Sequence, residues 1–351
     1  MNKKERVLEA LQCRVPDRIP YMYSIVDTEV QEKIVGHKLE KYIFDTAKDP
    51  GIIVSPGEKI KTTLNYAVHP ETAKFLDLDA IGIKFNYPLF VKARLQRSGY
   101  AIEEGLLKSR QELRSIRMPD PDQDDILNEA RSFIKAFGGE YAIYACIRMG
   151  ISSMLMSMGY DTFSYMLYDD RDFILDVMQL YLDFNKRFIR NLEEVGFDFL
   201  WSFDDIAFGT GPLFSQQVWD DIFAENVGEV TRRIQIPWIY HSDGNLLPIL
   251  DKMLSLGMNG IHPLEPGTMD LDLLKEKYGK RLCLIGNINI NDTLSTSPKE
   301  IVEMEVKERM EQLSPGGGFI ISDSNSVPYF CNSENIIEMS RAVQKYRNIY
   351  I

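Results

Sequence analysis

The chain has 351 residues, 44% of them hydrophobic and 26% charged, enough apolar material for a large buried core. Its 52 acidic and 40 basic side chains leave a net charge of −12, which argues against nucleic acid or an anionic membrane surface as the main partner. No apolar run approaches the roughly 18–20 residues of a membrane span. Cys13, Cys146, Cys283 and Cys331 are scattered without a CxxC pair, which suggests reduced thiols in a cytoplasmic protein.

In chain order, the opening MNKKERVLEALQCRVPDRIP is charged and helix-like and lacks the apolar stretch of a signal peptide. Candidate strands follow at IPYMYSIVD (19–27), AIGIKFN (80–86), YAIYACIR (141–148) and FDFLWSFDD (197–205), then PWIYHSDG (237–244), MNGIHPLEP (258–266), RLCLIGNINI (281–290) and GFIISDSN (318–325). Runs that are apolar throughout suit parallel strands covered on both faces. Helical periodicity appears at 246–257, which ends in Gly257, at 271–279, and at 298–313, which has Pro in its first turn. The alternation predicts an α/β fold, a (β/α)8 TIM barrel in a single domain over 1–351, with an N-terminal helical extension. A doubly wound open sheet is the alternative. The connections 28–79 and 87–140 exceed one crossover helix and predict insertions. The GGG at 316–318 precedes a strand rather than a helix, so it reads as a tight turn and not a phosphate loop.

Polar residues close five successive strands: Asp204 and Asp205, His241 with Asp243, His262 and Glu265, Asn287 and Asn289, and Ser322 to Asn325. In a barrel such ends converge on the face that carries the chemistry. His241, Asp243, Asp205 and Glu265 are therefore candidate catalytic residues, and Asn245, Asn287 and Asn325 candidate binding residues. Adjacent strand residues point to opposite sides, so only one of Asp204 and Asp205 should face the pocket; Asp205 is the better candidate. Met149 and Met154, in MGISSMLMSMGY (149–160), either fill an irregular core or line a pocket for a large flat apolar ligand. Plainer readings stand beside these. Asp243-Gly-Asn is an N-cap signature, His241 suits a buried hydrogen-bonded histidine, and His262, followed by Pro, suits a turn.

The stretch HSDGNLLPILDKMLSLGMNGIHPLEPGTMDLDLLKEKYGKRLCLIGNI (241–288) resembles the signature region of the uroporphyrinogen decarboxylase superfamily. FDDIAFGTGPLFSQQVWDDIF (203–223), GGGFIISDSNSVPYFCNSENI (316–336) and KERVLEALQCRVPDRIP (4–20) are similar to its neighbouring, final and opening blocks. The resemblance implies a uroporphyrinogen-decarboxylase-like barrel and two possible chemistries. Decarboxylases of this family hold porphyrinogen acetates with arginines in a loop after the first strand. Here that stretch, YMYSIVDTEV (21–30), has none.

The methyltransferase branch passes a methyl group between a corrinoid and a small acceptor or donor. Its thiol-specific members bind zinc through His-x-Cys and a last-strand Cys. Here those positions read His241-Ser242-Asp243 and fall near Asn325, so both thiolates are absent. His241, Asp243 and Glu265 remain as nitrogen and oxygen donors for a divalent metal such as zinc, or as an acid–base set without one. The resemblance thus implies a corrinoid-linked methyltransferase. It would use a cobamide or a corrinoid protein with a tetrahydrofolate, a thiol or a methoxylated compound. A decarboxylase-like carboxy-lyase and a non-catalytic tetrapyrrole- or partner-binding barrel are the alternatives.

Overall fold

The computed structural model describes residues 1–40, 42–45, 63–85, 88–97 and 99–349. Its centre is a curled, mostly parallel sheet. Strands β1 (Ala80–Phe85), β2 (Ala142–Ile147), β3 (Phe199–Phe203), β4 (Trp238–His241), β5 (Gly260–His262), β6 (Cys283–Ile288) and β7 (Phe319–Asp323) follow one another in space. Each is paired in parallel with the next. Two short antiparallel strands, Tyr42–Asp45 and Thr63–Tyr66, extend the β1 edge.

Every residue of β2 and β6 is buried, as expected for parallel strands covered on both faces. The two-residue period sorts their side chains. Tyr144, Cys146, Phe199, Trp201, Ile239, Cys283 and Ile285 meet in an inner cluster. The alternating Ile143, Ala145, Leu200, Tyr240 and Leu284 belong to the cluster that includes the helices' apolar faces. Gly82 makes room for the Tyr144 ring, which would lie 2.1 Å from a Cβ there. The Tyr144 hydroxyl is 2.8 and 2.9 Å from the carbonyl oxygens of Tyr23 and Ser24.

The expected first strand, 19–27, is not a regular strand. Pro20 has no N–H to give, and the Tyr21 N–H donates to the Asp79 carboxylate at 2.9 Å rather than to a neighbouring backbone. Two isolated parallel bridges, Tyr21↔Ile321 and Val26↔Val327, remain. On the other side, the Asp79 N–H donates to the Tyr21 carbonyl at 2.8 Å. In place of eight regular strands there are thus, among the described residues, seven parallel ones, with this extended segment lying between β7 and the start of β1.

The predicted helices form as Leu247–Met253, Leu271–Tyr278 and Lys299–Leu313. The long connections carry the expected insertions, including the hairpin Val91–Gln96/Gly99–Gly105 and the helix Asp124–Phe137. Gly316, Gly317 and Gly318 all have positive φ and turn the chain into β7. At the strand starts, Arg6 of the N-terminal helix Lys3–Leu11 and Arg347 both bond to the buried Asp79. Among the described residues no helix is long and apolar enough to cross a membrane.

Candidate functional site

β4 ends at His241 and β5 at His262, and these residues are partners in the parallel register. Their rings therefore emerge side by side on one face of the sheet. The Phe203 ring packs on His241 with centroids 4.6 Å apart, and Trp201 meets His262 edge-on at 4.9 Å. The two Nδ1 atoms are 2.7 Å apart. Burial lowers both pKa values, that of His241 to about 4, so both imidazoles are neutral near pH 7. One Nδ1 then carries the proton that the other accepts.

The loops after β3, β4 and β5 bring Asp205, Asp243 and Glu265 to the other side of His241. The Asp243 N–H donates to Asp205 Oδ1 at 3.1 Å, and the Gly244 N–H to Glu265 Oε2 at 2.8 Å. His241 Nε2 lies 3.7 Å from Asp205 Oδ1 and 3.8 Å from Asp243 Oδ1. Asn325 Nδ2 donates to Asp243 Oδ2 at 2.5 Å, while Asp243 Oδ1 is buried without a hydrogen-bond partner. Burial, reinforced by the charges of Asp205 and Glu265, pushes the Asp243 pKa up to about 7; the Asn325 hydrogen bond opposes this. The helix Leu247–Met253 has Leu246 at its N-cap and no side-chain cap, and its Leu247 N–H is taken by Asn245 Oδ1 at 3.0 Å, so capping does not account for Asp243.

Asp204 and Asp205 divide as their alternation requires. Asp204 is fully buried and accepts from the backbone N–H groups of Met149, Gly150 and Ser152, fixing the start of the helix Ile151–Met158. Asp205 faces the mouth with its side chain 56% exposed. Met149 and Met154 expose no surface and pack in the core, so the structure uses them as filling and not as pocket lining. Asn287 is nearly buried; its Nδ2 donates to the Leu264 carbonyl at 2.7 Å and its Oδ1 is unpartnered.

Three further residues here are not among the candidate site residues, although the sequence marks His262 and Asp323 as strand-end polar groups and His262 as shaping a turn. His262 is one, because its contact with His241 arises from strand pairing and leaves no local signal. Asp323 is another: its Oδ1 lies 3.9 Å from His262 Nε2, and burial pushes its pKa up to about 8. Arg148 follows β2, with its Nη1 donating to Ser152 Oγ at 2.8 Å.

Asp205, His241 and Asp243 each offer one ligand atom, all within 4.8 Å of one another. Donors about 2.0–2.2 Å from a shared tetrahedral zinc stand roughly 3.4 Å apart, so a small side-chain movement closes the set on a cation. The unpartnered Asp243 Oδ1 fits that use. Glu265 and Asn325 hold the loop and the Asp243 carboxylate, outside this three-atom group.

A curled, mostly parallel sheet with histidine and carboxylates gathered at its strand ends defines an α/β fold whose polar cluster lies at the end of the sheet that carries the chemistry in barrel enzymes. The chain belongs to the uroporphyrinogen decarboxylase family, whose sequence profile matches residues 2–346. Among solved structures, a methyltransferase from Methanosarcina mazei shares the fold with a TM-score of 0.72 at 16% identity, over 99% of both chains. A protein from Listeria monocytogenes described as a vitamin-B12-independent methionine synthase aligns with a TM-score of 0.49 at 11% identity, over 94% of this chain and 98% of the other. No curated protein sequence matches the chain.

Proposed function

We propose that the chain is a corrinoid-linked methyltransferase, moving a methyl group between a cobamide, free or on a small corrinoid protein, and a small acceptor or donor. The observation that carries this reading is the convergence of His241 Nε2, Asp205 and Asp243 at the strand ends. The fold shared with a methyltransferase supports it.

Asp205, His241 and Asp243 would hold a divalent cation such as zinc, which would polarise a substrate heteroatom. One imidazole with two carboxylates is a harder set than one containing thiolates. It favours an oxygen-bearing substrate, such as a methoxylated compound, over a thiol. The corrinoid would supply the cobalt that carries the methyl group. Tyr160 and Phe208, 52% and 65% exposed, offer an apolar rim for a flat macrocycle. Tyr160 lies close enough to Asp205 to feel its charge, and the Phe208 carbonyl accepts the Asn245 N–H at 2.8 Å. Without a cation, Asp243 is poised near neutrality to protonate a leaving oxygen or to take a proton from an acceptor. Cation and proton compete for that carboxylate, so it serves one role at a time.

Purified protein mixed with cob(I)alamin or methylcobalamin and a panel of methoxylated compounds, thiols and tetrahydrofolate should change the cobalt absorption spectrum with at least one of them. His241→Ala and Asp243→Ala should abolish the change. An unchanged spectrum across the panel, with and without corrinoid protein, would overturn the reading.

A further inference from the structure

The His241 ring has two nitrogens, and the structure treats them differently. Nδ1 is in a short contact, 2.7 Å from His262 Nδ1. Nε2 faces two carboxylate oxygens at 3.7 and 3.8 Å and is hydrogen-bonded to neither. With Nδ1 engaged by His262, Nε2 is the ring atom left to a cation held with Asp205 and Asp243, and binding there requires the His241 proton to sit on Nδ1.

We infer that His262 is a positioning residue: by accepting the Nδ1–H of His241, it holds that ring in the tautomer whose bare Nε2 faces Asp205 and Asp243. This rests on the cation-binding reading above and deepens it. A metal-binding histidine usually gives its second N–H to a carboxylate or a backbone carbonyl, which fixes both tautomer and ring orientation. Here the acceptor is another imidazole, and the arrangement continues one residue deeper.

If His262 Nδ1 accepts, its proton sits on Nε2, the atom 3.9 Å from Asp323 Oδ1. His262 Nε2 has no hydrogen-bond partner, and neither does Asp323 Oδ2. Asp323 Oδ1 already accepts the Ser322 hydroxyl at 2.8 Å. A proton on this buried carboxyl therefore belongs on Oδ2, which leaves Oδ1 facing His262 as an acceptor. The polarity of the whole series then runs inward, from His241 through His262 to Asp323.

Packing holds the geometry. His262 exposes no surface, its ring is met edge-on by Trp201, and Phe203 covers His241. The β4–β5 register aligns the two residues. His262 thus lies beyond the reach of a substrate and acts through His241.

The test is a long-range proton–nitrogen correlation spectrum of the full chain labelled at histidine nitrogen, in which only four histidines contribute. His241 protonated at Nδ1 and His262 at Nε2 is the expected result; His241 protonated at Nε2 overturns the inference. His262→Phe, which removes the acceptor, should give mixed tautomers at His241 and weaken zinc binding roughly 10–100-fold by calorimetry. His262→Asn, whose amide oxygen can replace Nδ1 as acceptor, should recover most of the affinity. Wild-type zinc affinity and an unchanged His241 tautomer in His262→Phe would also overturn it. If His262→Phe does not fold, the wild-type and His262→Asn spectra still decide. A wild-type chain that binds no zinc defeats the cation reading alone, because the tautomer is read without metal.

Discussion

Asp204 and Asp205 are adjacent in sequence, yet one is enclosed by backbone N–H groups and the other opens onto the mouth. Removing the Asp204 carboxylate leaves several buried donors unsatisfied. Asp204→Ala should therefore cost about 3 kcal/mol of stability. Asp205→Ala should stay within about 0.5 kcal/mol of wild type while weakening zinc binding at least tenfold. Urea denaturation and zinc calorimetry on the pair check this, and equal destabilisation by both would contradict it.

A second consequence concerns pH. The folded chain keeps the Asp323 proton to about pH 8, whereas an unfolded chain loses it near pH 4, so stability falls as pH rises across that window and levels off above 8. Asp243 adds the same sign up to about pH 7. His241 has the opposite sign: the unfolded chain takes up a proton below about 6.5 that the folded chain refuses until about 4. Between pH 7 and 8 Asp323 contributes most, while Asp243 is losing the last of its proton and His241 is largely neutral in both states. The Asp323 slope there is at most about 1.4 kcal/mol per pH unit. Asp323→Asn should flatten stability over that interval and raise it at pH 8. Parallel denaturation curves for the two proteins would contradict this. All five residues, His241, Asp243, Asp205, His262 and Asp323, were legible as strand-end polar groups, but the pairing of His262 with His241 and its approach to Asp323 arise only from contacts between strands.

At the scale of elements, the loop from β4 to the helix Leu247–Met253 sets the site. Gly244 has φ +85°, and a Cβ there would stand 2.6 Å from the Phe208 carbonyl oxygen. Gly244→Ala should therefore cost at least about 2 kcal/mol and displace Asp243. Gly257 has a similar φ of +84° but nothing within 4 Å of its Cβ position. Gly257→Ala should cost only about 1 kcal/mol and leave zinc affinity intact. Thermal melts with zinc calorimetry separate the two, and equal losses would remove the steric argument. The helices were legible because their apolar period and glycine stops are local. The strand expected at 19–27 was not, since Pro20 and the Tyr21–Asp79 bond interrupt a ladder that only the folded sheet defines. Met149 and Met154 could not be assigned from composition, because methionine suits a core gap and a pocket wall equally well.

On the scale of the whole molecule, the two ends of the sheet do different work. At the strand starts, Arg6 and Arg347 converge on Asp79, while the Gly317 backbone packs so close to Arg14 that a Cβ would lie 2.4 Å from the Arg14 carbonyl oxygen. That end is built for stability. The strand ends carry the His–carboxylate group, and beside it the exposed Tyr160 and Phe208. With a net charge of −12, the molecule gives an acidic partner no long-range electrostatic attraction, so apolar contact at this rim should dominate docking. Phe208 is 65% exposed and contributes little to the core. Phe208→Ala should therefore leave the melting temperature and zinc affinity unchanged. Loss of one aromatic contact of about 1 kcal/mol should raise KM for the corrinoid substrate roughly fivefold, with kcat little altered. Steady-state kinetics with varied methylcobalamin or corrinoid protein measure this. An unchanged KM would place corrinoid docking away from this rim, and a lower kcat at unchanged KM would place Phe208 in the chemistry instead.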